Sequence, residues 1–166
     1  MRKSYPVALG GVLAALAVVI MTLGCLIPIA TYVSPMLCSV LLLFVKQSCG
    51  NTIGWTWYGA VSVLSLLLSP DKEAAAVFVA LGYYPMIQPG INKSRLRWLW
   101  KILFFNAVTL LLYWMLIFVL GMAQIAADFQ GVGRIGLAVV LLLGNVSFLL
   151  LDKLLHMVKR KLFKKI

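Results

Sequence analysis

The stretch Pro6–Val45, PVALGGVLAALAVVIMTLGCLIPIATYVSPMLCSVLLLFV, runs for 40 residues without a charged side chain. About 20 apolar residues cross a bilayer as a helix, so this stretch has the length of two crossings with a turn between them. Pro28 and Pro35 interrupt the helical hydrogen-bond ladder and put that turn at Ala30–Ser34. Outward from it lie four further uncharged tracts: Gln47–Pro70, Ala74–Asn92, Ile102–Ala127 and Ile135–Leu151, of 24, 19, 26 and 17 residues. Each suits one crossing. The expectation is an all-α, polytopic integral membrane bundle of six transmembrane helices, at about 6–28, 30–46, 52–68, 72–88, 97–120 and 134–158. No internal repeat, low-complexity linker or composition break divides the chain, so residues 1–166 read as a single transmembrane domain.

The composition agrees with that reading. Of 166 residues, 63% are hydrophobic and only 19 are charged, too few to cover a water-soluble globule of this size. Fifteen Lys and Arg oppose four Asp and Glu, for a formal net charge of +11. The bases sit at the ends of apolar tracts, which points to membrane orientation and not to nucleic acid. With both termini cytoplasmic, Arg2, Lys3, Lys46, Lys93, Arg95, Arg97, Lys101, Lys153, Lys159, Arg160, Lys161, Lys164 and Lys165 all fall inside. Only Lys72 and Arg134 fall outside, and Lys72 is flanked by Asp71 and Glu73. Thirteen of fifteen bases thus obey the positive-inside rule. The expected location is the cell membrane of a bacterium, as a multi-pass protein with lipid as its first partner.

Two imitations of processing signals occur near the N-terminus. Arg2 and Lys3 before an apolar run resemble a signal peptide, but the run exceeds the roughly 7–15 residues of a signal core and more tracts follow it. Gly24-Cys25 resembles a lipoprotein cleavage site, yet Thr22 stands where such sites usually carry Leu. Cys25, Cys38 and Cys49 lack metal-ligand spacing and read as reduced packing residues.

The second helix is short. Pro35–Val45 offers only about 16 Å at 1.5 Å per residue, so this helix must either begin before Pro35 or fail to span fully. Ser69-Pro70 ends the third helix, and Asp71 and Glu73 suit the positive N-terminal end of the fourth. Leu81-Gly82-Tyr83-Tyr84-Pro85 should kink or terminate that fourth helix near the cytoplasmic surface. Trp98 and Trp100 suit the headgroup level, mirrored by Trp55 and Trp57. Gly121–Gly133 reads as an outer loop carrying Asp128, and the basic tail Lys159–Lys165 should lie against anionic lipid.

Catalysis has no visible machinery. No Walker loop, GxSxG elbow or His-Glu-x-x-His occurs, the lone His156 has no second ligand, and neither a metal nor a cofactor is implied. The polar groups within spans are Asn106 on the fifth helix and Asn145, Ser147 and Asp152 on the sixth. Asn145 and Asp152 are seven apart and share a face directed into the bundle. Asp152 requires a partner: Lys101 or Arg97 from the fifth helix, or its neighbour Lys153. Interhelical packing is the main role of these groups, with transport or proton relay as the other. Candidate substrate-binding residues are Tyr32, Asn106, Asp128 and Asn145, and the outer loops add Thr31, Ser34, Gln124, Gln130 and Arg134.

The first helix carries the small residues Ala8, Gly10, Gly11, Ala14 and Ala15. Gly10–Ala14 and Gly11–Ala15 are small-xxx-small pairs that let another helix approach, from the same bundle or from a separate subunit. A six-span chain of this size, with ALGGVLAAL at residues 8–16 just after a basic N-terminus, resembles the substrate-binding S-components of energy-coupling factor transporters. That resemblance implies capture of a vitamin or other micronutrient from outside. It also implies a partner module of two ATPases and a coupling membrane subunit docked on Gly10, Gly11, Ala14 and Ala15. The S-components often close their outer site with a sizeable loop between the first two helices, and here that connection is short. Two rivals stand beside this reading: a membrane scaffold similar to the rod-shape protein MreD, and an ion-coupled carrier using Asp152.

Overall fold

The computed structural model describes residues 4–27, 30–92, 96–118, 142 and 144–161, apart from the side chains of Ser4, Arg97 and residues 116–118. Asp128, with Gln124, Gln130 and Arg134, lies outside these residues. Helix is the only regular structure among the described residues. The helices are α1 (Ser4–Gly24), α2 (Ala30–Cys49), α3 (Asn51–Leu68), α4 (Lys72–Leu81), α5 (Tyr84–Ile91) and α6 (Arg97–Phe118), followed by a helical segment at 144–161, here α7. Among the described residues four stretches are long and apolar enough to cross a membrane: Tyr5–Gly24, Ala30–Cys49, Lys72–Ile91 and Trp98–Met115.

One boundary differs from the sequence-based expectation. The turn expected at Ala30–Ser34 is helical, and the chain reverses just before it, where the amides of Leu26, Ile27 and Ala30 bond to the carbonyls of Leu23, Gly24 and Ile27. Pro35 is the sixth residue of α2 and the helix continues through it. Its missing N–H removes one bond, the one that the Thr31 carbonyl would otherwise accept. With Pro35 inside, α2 has 20 residues and the short-helix problem disappears. The helix expected at 72–88 is two helices, α4 and α5, broken at Gly82-Tyr83, within the Leu81–Pro85 stretch where a kink or an end was expected.

Helices α2 and α3 are joined by one residue. Gly50 has φ 95° and ψ 171°, a backbone conformation open essentially to glycine alone. Its amide bonds to the Lys46 carbonyl and its carbonyl accepts from Gly54, so the turn closes the end of α2 and opens α3. Asp71 caps α4 by accepting the Ala74 amide at 2.9 Å.

The core places α2 and α4–α5 at the centre. On one flank Ala17 and Met21 of α1 and Trp57 and Val61 of α3 meet Cys38, Leu42 and Val45 of α2 and Ala75 and Phe78 of α4. On the other, Leu43 and Tyr84 meet Phe105 of α6 and Phe148, Leu151 and Leu155 of α7. Lipid tails are as apolar as Leu, so close packing holds such helices together where water would otherwise drive burial. The run Ala74-Ala75-Ala76 supplies that closeness, with all three methyl groups buried.

The break in α4–α5 exposes backbone groups that other helices satisfy. Pro89 has no N–H, so the carbonyl of Pro85, four residues earlier, loses its helical donor. Lys46 Nζ takes that place, at 3.0 Å from the Pro85 oxygen and 3.2 Å from that of Met86. Upstream of the break, the Tyr58 hydroxyl donates to the Val79 carbonyl.

Because Gly50 alone links two helices in a strained conformation, Gly50→Ala should destabilise the bundle by about 1–3 kcal/mol. Denaturant unfolding of the variant in detergent, followed by circular dichroism, checks this. Unchanged stability would show that the connection relaxes freely.

Candidate functional site

Two polar constellations lie at opposite ends of the bundle. The first is built where α2 and α4 begin and α6 runs toward its end. Asp71 and Glu73 stand there because the N-terminal turn of a helix attracts carboxylates, and Ser69-Pro70 delivers the chain to that turn. Glu73 Oε1 accepts the Tyr113 hydroxyl at 3.0 Å and the Tyr32 hydroxyl at 3.1 Å. The two phenol oxygens are themselves 3.1 Å apart. Asp71 Oδ2 accepts Thr31 Oγ1 at 2.8 Å, and Ser69 Oγ reaches across to the Met21 carbonyl of α1. Tyr32 remains 48% exposed, so this cluster is open to an incoming molecule. Two carboxylates and two phenols can receive a ligand that offers hydrogen-bond donors or positive charge.

The second constellation centres on Asp152 of α7. Lys101 Nζ lies 2.7 Å from Oδ2, while the Tyr84 hydroxyl at 2.6 Å and Gln88 Nε2 at 2.7 Å share Oδ1. Tyr84, Gln88 and Lys101 are all buried. One carboxylate thus binds together α5, α6 and α7, and its charge is matched by one ammonium and two neutral donors. A second tie between α6 and α7 follows: Asn106 and Asn145 exchange hydrogen bonds at 3.1 and 3.3 Å, and Asn106 also donates to the Ile102 carbonyl. Among the described residues no group of three His, Cys, Asp or Glu is placed to hold a metal.

The sequence candidates fall into these positions unevenly. Lys101 is the partner of Asp152, among the three bases that the sequence offered. Tyr32 belongs to the first constellation, whereas Asn106 and Asn145 pair with each other between the two ends. The small-residue stripe of α1 divides. Gly10 is buried against Trp57, whose indole N–H donates to the Gly10 carbonyl at 3.0 Å, and Ala14 packs beside the same core. Gly11 and Ala15 are exposed, with open space where a Gly11 side chain would stand. Trp57, expected at the headgroup level, is therefore an interior residue, while Trp55, Trp98 and Trp100 are exposed. Cys25, expected to be a packing residue, is also exposed; Cys38 is buried and all three cysteines are free.

Sequence reading missed Tyr113, Tyr84 and Gln88, and took Asp71 and Glu73 only as helix-end charges. The available signal was the phenol of Tyr113 in an otherwise apolar run. Tyr113 stands one helical turn beyond Thr109, on the same side of the helix as that polar neighbour. Comparison with family models, with curated proteins and with solved structures finds no match to this chain, so its chemistry carries the functional reading.

Removing one member of a buried ion pair strands the other charge, which typically costs about 3–5 kcal/mol. Lys101→Met should lower stability by about that amount. Adding Asp152→Asn should recover most of the loss, because the stranded charge disappears while an amide oxygen still accepts from Tyr84 and Gln88. Urea unfolding of the single and double variants in detergent reads the difference, and equal losses in both would refute the pairing role.

Proposed function

We propose that this chain is a membrane-embedded substrate-binding subunit of a micronutrient uptake transporter, energised by a separate ATPase module. In this reading six spans cross the cell membrane, both termini are cytoplasmic, and the end carrying Glu73 faces outside. The observation that carries the proposal is the convergence of Tyr32, Glu73 and Tyr113, with Thr31 and Asp71 beside them, at an accessible end of an otherwise apolar bundle. A small-ligand site needs a few converging polar groups against apolar walls. Three separate helices supply them here.

The exposed side of α1 supports the second half of the proposal. Gly11, Val12, Ala15, Leu16 and Val19 are exposed along one helical face, which leaves room for a coupling subunit to approach. Gly10 and Ala14 already serve contacts inside the bundle, so the docking surface narrows to Gly11 and Ala15. The same face is the reason to keep a scaffold of the MreD type as the second reading, since a scaffold also presents a bare helix to partners. An ion-coupled carrier has less support. The three donors on Asp152, one of them the Lys101 ammonium, favour a structural carboxylate over a proton carrier.

The test is extraction of the protein from its native membrane followed by mass spectrometry of the intact complex. We expect an attached ATPase-bearing module and a bound small molecule. Gly11→Leu and Ala15→Leu should release the module while leaving the bundle folded. Glu73→Gln and Tyr113→Phe should abolish thermal stabilisation by the recovered molecule, which for the parent protein amounts to about 2.7 kcal/mol at a hundredfold excess over Kd. Attachment of other membrane proteins, without a small molecule or ATPases, would favour the scaffold and reject transport.

A further inference from the structure

An open crevice of about 260 Å³ lies between α2 and α7, walled by Val33, Leu37 and Val40 on one side and Leu150, Leu151 and Leu154 on the other. Its lining is almost wholly apolar, with Ser147 the polar contributor. The two helices run in the same direction along it, since Leu43 packs with Leu151 and Leu155 and, further on, Lys46 lies within electrostatic reach of Lys159; Val33–Val40 and Ser147–Leu154 each cover seven residue steps. Each step rises 1.5 Å, so the crevice is about 10 Å long, most of the roughly 15 Å depth of one leaflet's hydrocarbon. A slot of that length and lining fits a stretch of extended hydrocarbon lying parallel to the helices.

What lies beyond one end of the crevice identifies the rest of the occupant. Following α7 past Leu154 by one to two turns leads to Lys159, Arg160 and Lys161, all exposed. Lys161 is seven residues after Leu154 and so continues the face that lines the crevice. Lys159 lies within electrostatic reach of Lys46 at the corresponding end of α2. The only acid at this end among the described residues is Asp152, and Lys101 already neutralises it. The positive charge is therefore unopposed about 7–10 Å beyond the apolar slot, allowing 1.5 Å per residue. In a phospholipid the phosphate is likewise separated from the bulk of its acyl chain by the glycerol and the first methylenes.

We propose that an anionic phospholipid occupies this surface, one acyl chain in the α2–α7 crevice and its phosphate held by Lys159 and Lys161. The site serves to fasten α7 to α2 from the outside, where Leu43 and Leu151 already pack from the inside. It is independent of any transported ligand, which the uptake reading places at the other end of the bundle.

The experiment titrates phosphatidylglycerol and phosphatidylcholine into the delipidated full-length protein and counts retained lipid by native mass spectrometry. One phosphatidylglycerol should persist as a discrete adduct at concentrations where phosphatidylcholine does not. A basic residue at an anionic surface is worth a factor of about five in affinity, so Lys159→Glu and Lys161→Glu should each reduce phosphatidylglycerol retention by at least about fivefold while sparing phosphatidylcholine. Leu150→Trp, at an exposed position on the crevice wall, should weaken retention of both lipids by filling the slot. Equal retention of the two lipids by the parent protein would overturn the proposal. So would phosphatidylglycerol retention that none of the three variants changes, or a crevice found occupied by a co-purifying protein helix.

Discussion

A carbonyl that loses its helical donor inside an apolar bundle must find another, because leaving it bare costs several kcal/mol where no water can reach. Pro89 creates that situation in the most buried of the candidate spans, Lys72–Ile91. The Lys46 ammonium, reaching from the end of α2 to the carbonyls of Pro85 and Met86, answers it. The consequences spread from there. A lysine held in place this way fixes α2 against α5, and Tyr84 and Gln88 of that same short helix then meet Asp152 of α7. The broken helix is thus joined to both flanks of the bundle through polar groups, and the aromatic stack of Tyr84, Phe148 and Phe105 fills the space between them.

This division of labour leaves the two ends of the bundle different in kind. Around Asp152 the donors are buried and the charge is paired, an arrangement that resists change. Around Glu73 the phenols are partly exposed and lean on one carboxylate oxygen from two helices, an arrangement that a ligand can rearrange. Binding proteins need this contrast between a rigid frame and an adaptable mouth. The proposal of an outward-facing ligand site follows from it, as does the assignment of Asp152 to the frame.

Much of the helical architecture was legible because it depends on quantities that a sequence states outright: the lengths of uncharged tracts, the positions of bases and the places of prolines. The boundaries near Ser69-Pro70 and Asp71 follow from local chemistry and are found where expected. Pro35 misled because proline near the start of a helix costs one hydrogen bond whereas proline in the middle costs a kink, and the sequence does not state which position it holds. Trp57 misled for a related reason. An indole near a tract end suits the headgroup region, but here the small Gly10 of α1 gives it an interior seat and a carbonyl to bond. The Glu73 cluster was hidden because its phenols come from residues 41 and 40 positions away in the chain, and only the folded backbone brings them to one point.

The bundle depends most on Lys46 standing in for a missing backbone donor, and one substitution pair addresses that directly. Equilibrium unfolding in detergent should find Lys46→Met less stable than the parent by about 1–3 kcal/mol, the usual penalty of a buried acceptor without a partner. Pro89→Ala in the same background should restore most of the loss, since an amide at position 89 returns the helical donor to the Pro85 carbonyl. A Lys46→Met protein of parental stability, or one that Pro89→Ala fails to rescue, would contradict the central claim.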